Sequence, residues 1–364
     1  MLKFFQNKEN RGFFRFWLAQ LISQFGDRVH QMALVGLIAA KHPGSAIELA
    51  KLMSFTIIPV FIVGPIAGVY IDRWDRKTTL FICDFIRGLI VLAVAFYLMH
   101  LPVIWPLYVA VFIIFSFSRF YVPAKMSFIP EIVKQKDLMI ANSLVTTTGM
   151  IALVMGALLG GLIVEYSGSF GGFIWDAITF FVSGSLVFSI ATLRRKVDKK
   201  QILANTKEML RTQKSVWLEI QEGIRYISHQ QQIRFIFWMM SILFIAAGAI
   251  YVVIILFIQQ TFNSITKDLG FLAVPLGIGL FLGSLLYGRW GAKLSAYKAI
   301  FYSLILGGLL ISIFAFSVEE THNRFIAMAL SFVLGVVVSP MIIASNTVVH
   351  QVTSNEMSGK VFAV

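Results

Sequence analysis

Polar side chains recur on one face of the first long apolar stretch, at steps of four, three and four residues. They are Gln20, Gln24, Asp27 and Gln31. In an α-helix this spacing gives a polar stripe, which is expected to face a water-filled cavity where the three glutamines contact a substrate. A charge near the middle of a membrane span costs about 2.5–3.5 kcal/mol, and burial favours the neutral form of an acid. Asp27 is therefore the first candidate for a residue that binds and releases a proton. The alternatives are an ion pair with an arginine in the same half of the chain and contact with a substrate.

A second candidate for the proton site is Asp176, in the outer part of a later apolar stretch. Thr179 and Ser183 lie on the same predicted helix face. No acidic residue occurs between positions 234 and 267 or between positions 270 and 318. Any carboxylate that binds a coupling proton at depth must therefore lie in the first half of the chain.

Five charged residues form a predicted network toward the cytoplasmic end of the first half. Two of them lie three positions apart on one helix face, and a third lies at similar depth on the next helix. We interpret the network as a gate that holds the cytoplasmic side closed in the outward-open conformation. The alternative is that these residues form ion pairs that only stabilise the fold. The members of the network are Asp72, Arg76, Asp84, Arg87 and Arg119.

Enzyme chemistry is not expected from this sequence. There is no P-loop spacing and no H-E-x-x-H pattern, and potential nucleophiles are scattered over unrelated segments. The single cysteine, Cys83, lies inside an apolar run, so no internal disulfide is possible and nothing favours a metal site. We expect no cofactor.

The elements that must position these residues are membrane helices. Hydrophobic residues make up 58% of the chain and charged residues only 13%, which excludes an ordinary soluble domain. Ten stretches are long enough to span a bilayer, and an eleventh begins near Met357. The ten are 13–39, 46–71, 79–99, 103–122, 138–164, 170–192, 233–261, 268–288, 297–317 and 323–345.

The distribution of Lys and Arg predicts the orientation of these helices. With the N-terminus in the cytoplasm, the basic residues are concentrated in the cytoplasmic loops, as the positive-inside rule requires. The net charge of +13 is therefore a topology signal, and no nucleic-acid partner is expected. We predict a multi-pass protein of the cell (inner) membrane whose surroundings are the lipid bilayer.

A long basic segment divides the chain into two bundles. Residues 1–192 are predicted to form six helices, 193–232 a cytoplasmic linker with an amphipathic helix, and 233–364 a second, incomplete bundle. The halves look like repeats, because Asp72–Lys77 has a decayed counterpart in Gly288–Lys293. The fold class is thus all-α integral membrane, with six helices, then four and the start of another.

The segment from Gly68 to Leu80 follows the pattern G-x-x-x-D-R-x-x-R-K-x-x-L. It resembles the loop signature between the second and third helices of the major facilitator superfamily. The resemblance implies two pseudo-symmetric six-helix halves, a small-molecule substrate bound between them, and a monomer. It also implies that Gly68, Asp72, Arg73 and Arg76 belong to the conformational gate, and that this chain lacks the last two helices.

Four further patterns resemble the macrolide-exporter-like branch of drug:proton antiporters. They are Ser23–Arg28, Asn142–Leu144, Trp175–Ser183 and Glu222–Tyr226. Gly149, Gly156, Gly160 and Gly161 resemble the glycine-rich motif of antiporters, with Ala157 at a position where that motif usually has proline. Close helix packing through small residues explains the same glycines without antiport.

These resemblances predict a secondary transporter that exports an amphipathic drug or metabolite in exchange for protons by alternating access. Transport of a siderophore or lysophospholipid is an alternative within the same class. An alternative of another class is a non-transporting product, either a membrane sensor or a truncated remnant, which the end of the sequence at Val364 favours.

Overall fold

The computed structural model describes residues 10–71, 74–190, 231–264, 266–291 and 295–352. All regular structure in these ranges is helical, with two short 3₁₀ turns at Leu98–His100 and Gln135–Asp137. The α-helices are α1 (Arg11–Lys41), α2 (Ala46–Ile62), α3 (Gly64–Ile71), α4 (Arg76–Phe96), α5 (Trp105–Ile132), α6 (Leu138–Phe188), α7 (Gln231–Phe262), α8 (Lys267–Trp290), α9 (Ala296–Thr321) and α10 (Arg324–Val352).

Six stretches of the described residues are long and apolar enough to cross a membrane by length and composition alone. They include α4, α5, α6, α8, α9 and most of α10. The predicted all-α membrane fold class is therefore confirmed. α1 has 31 residues and is long enough to span, but its central polar stripe lowers its hydropathy.

Two breaks in the helices follow from local backbone chemistry. α6 runs for 51 residues but is interrupted at Gly168, whose φ of 70° and ψ of 176° leave the helical region. Glycine reaches this conformation without steric cost. The helix α6 therefore consists of a first arm before Gly168 and a second arm after it, which match the two predicted spans. The predicted span 46–71 is likewise interrupted at Val63, where Pro65 supplies no N–H for the helical hydrogen-bond ladder.

α5 extends beyond its predicted end. The sequence predicts a span over 103–122 followed by a loop, whereas the helix continues through Pro123 to Ile132. Its 28 residues rise about 42 Å, more than the roughly 30 Å of hydrocarbon. The polar residues after 122 predict a loop, but in the structure they continue the helix.

The chain divides into two compact units, Met1–Lys214 and Ser215–Val364. In the first unit α1 packs against both arms of α6, and α4 packs against α5 and α6. In the second unit α8 and α9 pack against α10. The predicted linker with its amphipathic helix lies almost wholly within 191–230, outside the described residues, so the three-part division stays a prediction.

Candidate functional site

Glycines bring α1 into close contact with α6 and so position the polar stripe of α1. A methyl group on Gly156 would lie 2.8 Å from Cγ of Arg28, and one on Gly160 would lie 3.0 Å from Cα of Val29. Both distances are shorter than a van der Waals contact, so α1 can approach the first arm of α6 only because Cβ atoms are missing there.

The second arm of α6 approaches α1 at Gly26. A methyl group there would lie 1.8 Å from Oγ1 of Thr179 and 2.8 Å from Oδ1 of Asp176. Any larger residue at this position would displace the carboxyl group. Gly26 therefore fixes the distance between the backbone of α1 and Asp176.

Arg87 of α4 is the centre of the first unit's charge network. Its side chain is 2% exposed and donates to the carboxylate of Asp84, which is fully buried. Nη1 of Arg87 lies 3.3 Å from Oγ of Ser118, and Oγ of Ser183 donates to Oδ2 of Asp84 at 2.7 Å. Asp84 and Arg87 are thus a buried, hydrogen-bonded ion pair that ties α4 to α5 and to the second arm of α6.

Two aromatic rings enclose the guanidinium group of Arg87. Its Cζ lies 4.6 Å from the ring centre of Tyr121 and 4.3 Å from that of Phe180. The ring faces attract a cation and hold water away from it. The amide of Gln20, a predicted cavity residue, donates to the hydroxyl of Tyr121 and is itself 1% exposed. This end of the polar stripe is therefore buried among protein groups.

Asp27 lies at the edge of the same network. Its Oδ1 is 3.7 Å from Nη1 of Arg87, and 41% of its side chain is exposed. Arg119 and Lys125 of α5 also interact electrostatically with Asp27. The ion pair considered as an alternative for Asp27 is present, and its partner is Arg87.

A second buried acidic group lies beside a histidine. Nδ1 of His30 is 2.9 Å from Oδ2 of Asp176, with side-chain exposures of 4% and 0%. His30 also packs edge-to-face against the ring of Phe173 at 5.5 Å. Ser183, predicted on the face of Asp176, instead bonds to Asp84, whereas Thr179 donates to the backbone carbonyl of Asp176 at 2.7 Å.

The remaining predicted site residues are distributed as follows. Gln31 accepts a hydrogen bond of 2.9 Å from Arg28, and Oε1 of Gln24 lies 2.9 Å from where Gly149 would carry a Cβ. Gly161 is buried in the first arm of α6. The structure thus places the four residues of the stripe in different surroundings.

The predicted gate is described only in part. Asp72 and Arg73 lie outside the described residues, and for Gly68 only its place in α3 is described. Arg76 pairs with Glu131 near the end of α5. Since Arg76 begins α4, it lies about 16 Å along the helix axis from Arg87, so the two arginines belong to separate contacts.

Sequence reasoning missed several members of these contacts. The sequence patterns do not point to His30, Tyr121 or Lys125, and they predict a loop at Glu131. His30 follows Asp27 by three positions and so lies one turn further along the same helix, a spacing that could have identified it. No group of three or more His, Cys, Asp or Glu in the described residues is arranged to hold a metal ion.

Among the described residues of the second unit, small residues and an ion pair join two of the helices. A methyl group on Gly279 would lie 2.1 Å from the backbone oxygen of Phe332. One on Gly335 would lie 2.3 Å from the oxygen of Leu276. Asp268, at the start of α8, is 2.8 Å from Nε of Arg324. These contacts hold α8 against α10.

Together, the apolar spans and the buried charges define a multi-pass helical membrane protein. The sequence profile of the Major Facilitator Superfamily matches residues 16–364. The chain therefore belongs to the major facilitator superfamily.

Curated relatives are of two kinds. YkuC of Bacillus subtilis (strain 168), an uncharacterized MFS-type transporter, is 25% identical over 363 residues, which cover 97% of this chain and 81% of that protein. YfiS of the same strain, also an uncharacterized MFS-type transporter, is 28% identical over 181 residues, 50% of this chain and 42% of that protein. Macrolide efflux protein A of Streptococcus pyogenes is 23% identical over 309 residues, 83% of this chain and 72% of that protein.

Solved structures show the likeness of fold. A bacterial homologue of the iron transporter ferroportin, in an inward-facing state, has a TM-score of 0.65 at 13% identity and covers 97% of this chain and 88% of that chain. A bacterial homolog of the human lysosomal transporter Spinster has a TM-score of 0.64, also at 13% identity, covering 98% of this chain and 78% of that chain.

Proposed function

We propose that this protein exports an amphipathic small molecule, a drug or a metabolite, and that protons entering the cell drive the export. The observation that supports this is the ionisable network inside the membrane spans of the first unit, where Arg87 is shared between the buried Asp84 and the half-exposed Asp27. Two named relatives agree with the direction, macrolide efflux protein A and the putative bacilysin exporter BacE.

The geometry suggests how a proton changes the network. When Asp27 is ionised, it attracts Arg87 at 3.7 Å, while Asp84 holds the other side of the guanidinium group. Protonation of Asp27 removes one of these attractions and leaves the Asp84–Arg87 pair intact. A substrate that displaces the proton would restore the contact, so that proton and substrate bind in alternation. Because 41% of the Asp27 side chain is exposed and Asp84 is fully buried, Asp27 is the more accessible of the two acids.

The driving force suffices for such export. A membrane potential of about 100 mV is worth about 2.3 kcal/mol per elementary charge. Since about 1.4 kcal/mol corresponds to a factor of ten, one proton supports a substrate gradient of roughly fifty-fold. Export by a proton gradient therefore needs no ATP.

We further propose that the protein is a monomer in the cell inner membrane with a cytoplasmic N-terminus. In this orientation the Arg76–Glu131 pair joins the cytoplasmic ends of α4 and α5. Together with Gly68, Asp72 and Arg73, it would form the cytoplasmic gate. Arg119, which interacts with Asp27, belongs to the deeper network in this proposal.

The test is proton release by purified protein on addition of ethidium or erythromycin, with wild type compared to Asp27→Asn. Wild type should release protons and drive uphill, pH-dependent transport in proteoliposomes. Asp27→Asn keeps size and hydrogen bonding but fixes the neutral state, so binding should survive and both readouts should be lost. Arg28→Ala, with its guanidinium bonded to Gln31, is the matched control and should retain both. If Asp27→Asn releases as many protons per substrate as wild type, Asp27 is structural and Asp176 becomes the leading site.

A further inference from the structure

His30 and Asp176 form an unusual contact in the interior of the first unit. The two groups are 2.9 Å apart, and at most 4% of either side chain is exposed. Nδ1 of His30 and Oδ2 of Asp176 are each other's polar partner, whereas Nε2 of His30 and Oδ1 of Asp176 have no hydrogen-bond partner among the described residues. Buried polar groups in native proteins are nearly always satisfied, so two such atoms at one contact call for an explanation.

The charge states of the pair provide one. With one bound proton the pair is neutral overall, either as imidazolium and carboxylate or as imidazole and carboxylic acid. Loss of that proton leaves a net negative charge on two buried groups, and gain of a second leaves a net positive charge. The pair therefore holds one proton and can exist with that proton on either group.

The surroundings make this proton responsive to the rest of the network. The charged groups that act on Asp176 are His30 and Asp27 on α1 and Arg87 on α4. The first arm of α6 meets this part of α1 at Gly160. His30 lies one turn beyond Asp27 on α1, so a change at Asp27 is felt at the pair.

We propose that His30 and Asp176 together bind one of the protons that couple transport, and that His30, to which the sequence patterns do not point, is a coupling residue. This rests on the proposed function, since it concerns the proton pathway of the same transporter. Asp27, half exposed, is then the entry point, and the buried pair is the site that retains the proton. Gly26 maintains the site, because a Cβ there would strike Oδ1 of Asp176 at 2.8 Å.

The first experiment needs no substrate. Infrared difference spectra of the purified protein in lipid, recorded across about pH 5–8, detect a carboxyl group that gains or loses a proton. Asp176→Asn should remove one carboxyl band, and His30→Gln should shift the midpoint of that band by about one pH unit or more. Asp176→Glu, which keeps a carboxyl group, replaces Asp176→Asn if the latter does not fold. His42→Gln, exposed just beyond the C-terminal end of α1, is the matched control and should leave the band unchanged.

The second experiment measures ethidium-induced proton release in wild type, His30→Gln, Asp176→Asn and the double variant. If the two groups act as one unit, both single variants should lose the same amount of proton release, and the double variant should lose no more than either. A carboxyl band indifferent to His30→Gln, or proton release that survives both single substitutions, would overturn the proposal. Absence of ethidium transport by wild type would count against the proposed function, while the infrared titration would still decide whether the pair exists as a proton site.

Discussion

Replacing Arg87 with glutamine should destabilise the first unit more than any other single change in its charge network. The substitution leaves Asp84 fully buried, with the hydroxyl of Ser183 at 2.7 Å as its remaining hydrogen-bond partner among those described. Removing one partner of a buried ion pair costs about 3–5 kcal/mol, because an uncompensated charge remains. It also removes the cation that packs between Tyr121 and Phe180.

The opposite substitution should be milder. Asp84→Asn keeps an acceptor for Arg87, which also retains Asp27 at 3.7 Å, Ser118 at 3.3 Å and two aromatic faces. The expected loss is about 1–3 kcal/mol, the cost of an imperfectly paired buried group. In the double variant no full charge is left unpaired at this position, so its stability should exceed that of Arg87→Gln alone.

The assay is unfolding by sodium dodecyl sulfate in mixed micelles, followed by tryptophan fluorescence, with the exposed Arg11→Gln as control. The expected order of stability is wild type, then Asp84→Asn, then the double variant, and last Arg87→Gln. The reasoning is refuted if Arg87→Gln loses less than about 1 kcal/mol, the value of an exposed pair. It is also refuted if the double variant is less stable than Arg87→Gln.

Two further predictions concern packing and orientation. Gly335→Ala should destabilise the second unit by about 1–3 kcal/mol because its Cβ would lie 2.3 Å from the oxygen of Leu276, whereas Gly308→Ala, with nothing within 4 Å among the described residues, should be tolerated in the same unfolding assay. The topology can be tested in a Cys83→Ser background with Lys136→Cys, an exposed position between α5 and α6. A membrane-impermeant maleimide should label this cysteine only after the cells are broken and the cytoplasmic side is accessible. Labelling in intact cells would show that the orientation is the opposite one.

The membrane spans and the family were predictable because each depends on residues that are close together in the sequence. Long apolar runs identify membrane helices whatever their neighbours are, and a loop pattern such as that from Gly68 to Leu80 is read without tertiary structure. The contact between Asp84 and Arg87 was predictable for the same reason, since residues three positions apart on one helix lie on the same face. The break at Gly168 was anticipated only as a boundary between two spans.

Contacts between helices were not predictable to the same degree. Ser183 could bond to either Asp176 or Asp84, and the choice depends on how α4 is rotated against the second arm of α6. The pairing of His30 with Asp176 likewise depends on the register between α1 and α6. A spacing rule applies within one helix, whereas rotation and register result from packing along the whole interface. The sequence therefore predicted the contact within α4 but not the partners that Ser183 and Asp176 have in the structure.

The glycines of α6 join the two interpretations that the sequence left open, close packing and antiport. Gly156 and Gly160 admit α1 to within contact of the first arm, and without them Arg28 and Val29 would be displaced. That displacement would carry the whole of α1, including Asp27 and His30, because a helix moves as a rigid element over such short distances. A packing motif at this interface thus sets the geometry of the candidate proton sites. Small residues at these positions would therefore support proton coupling by setting the position of α1, and a proline at position 157 would not be required.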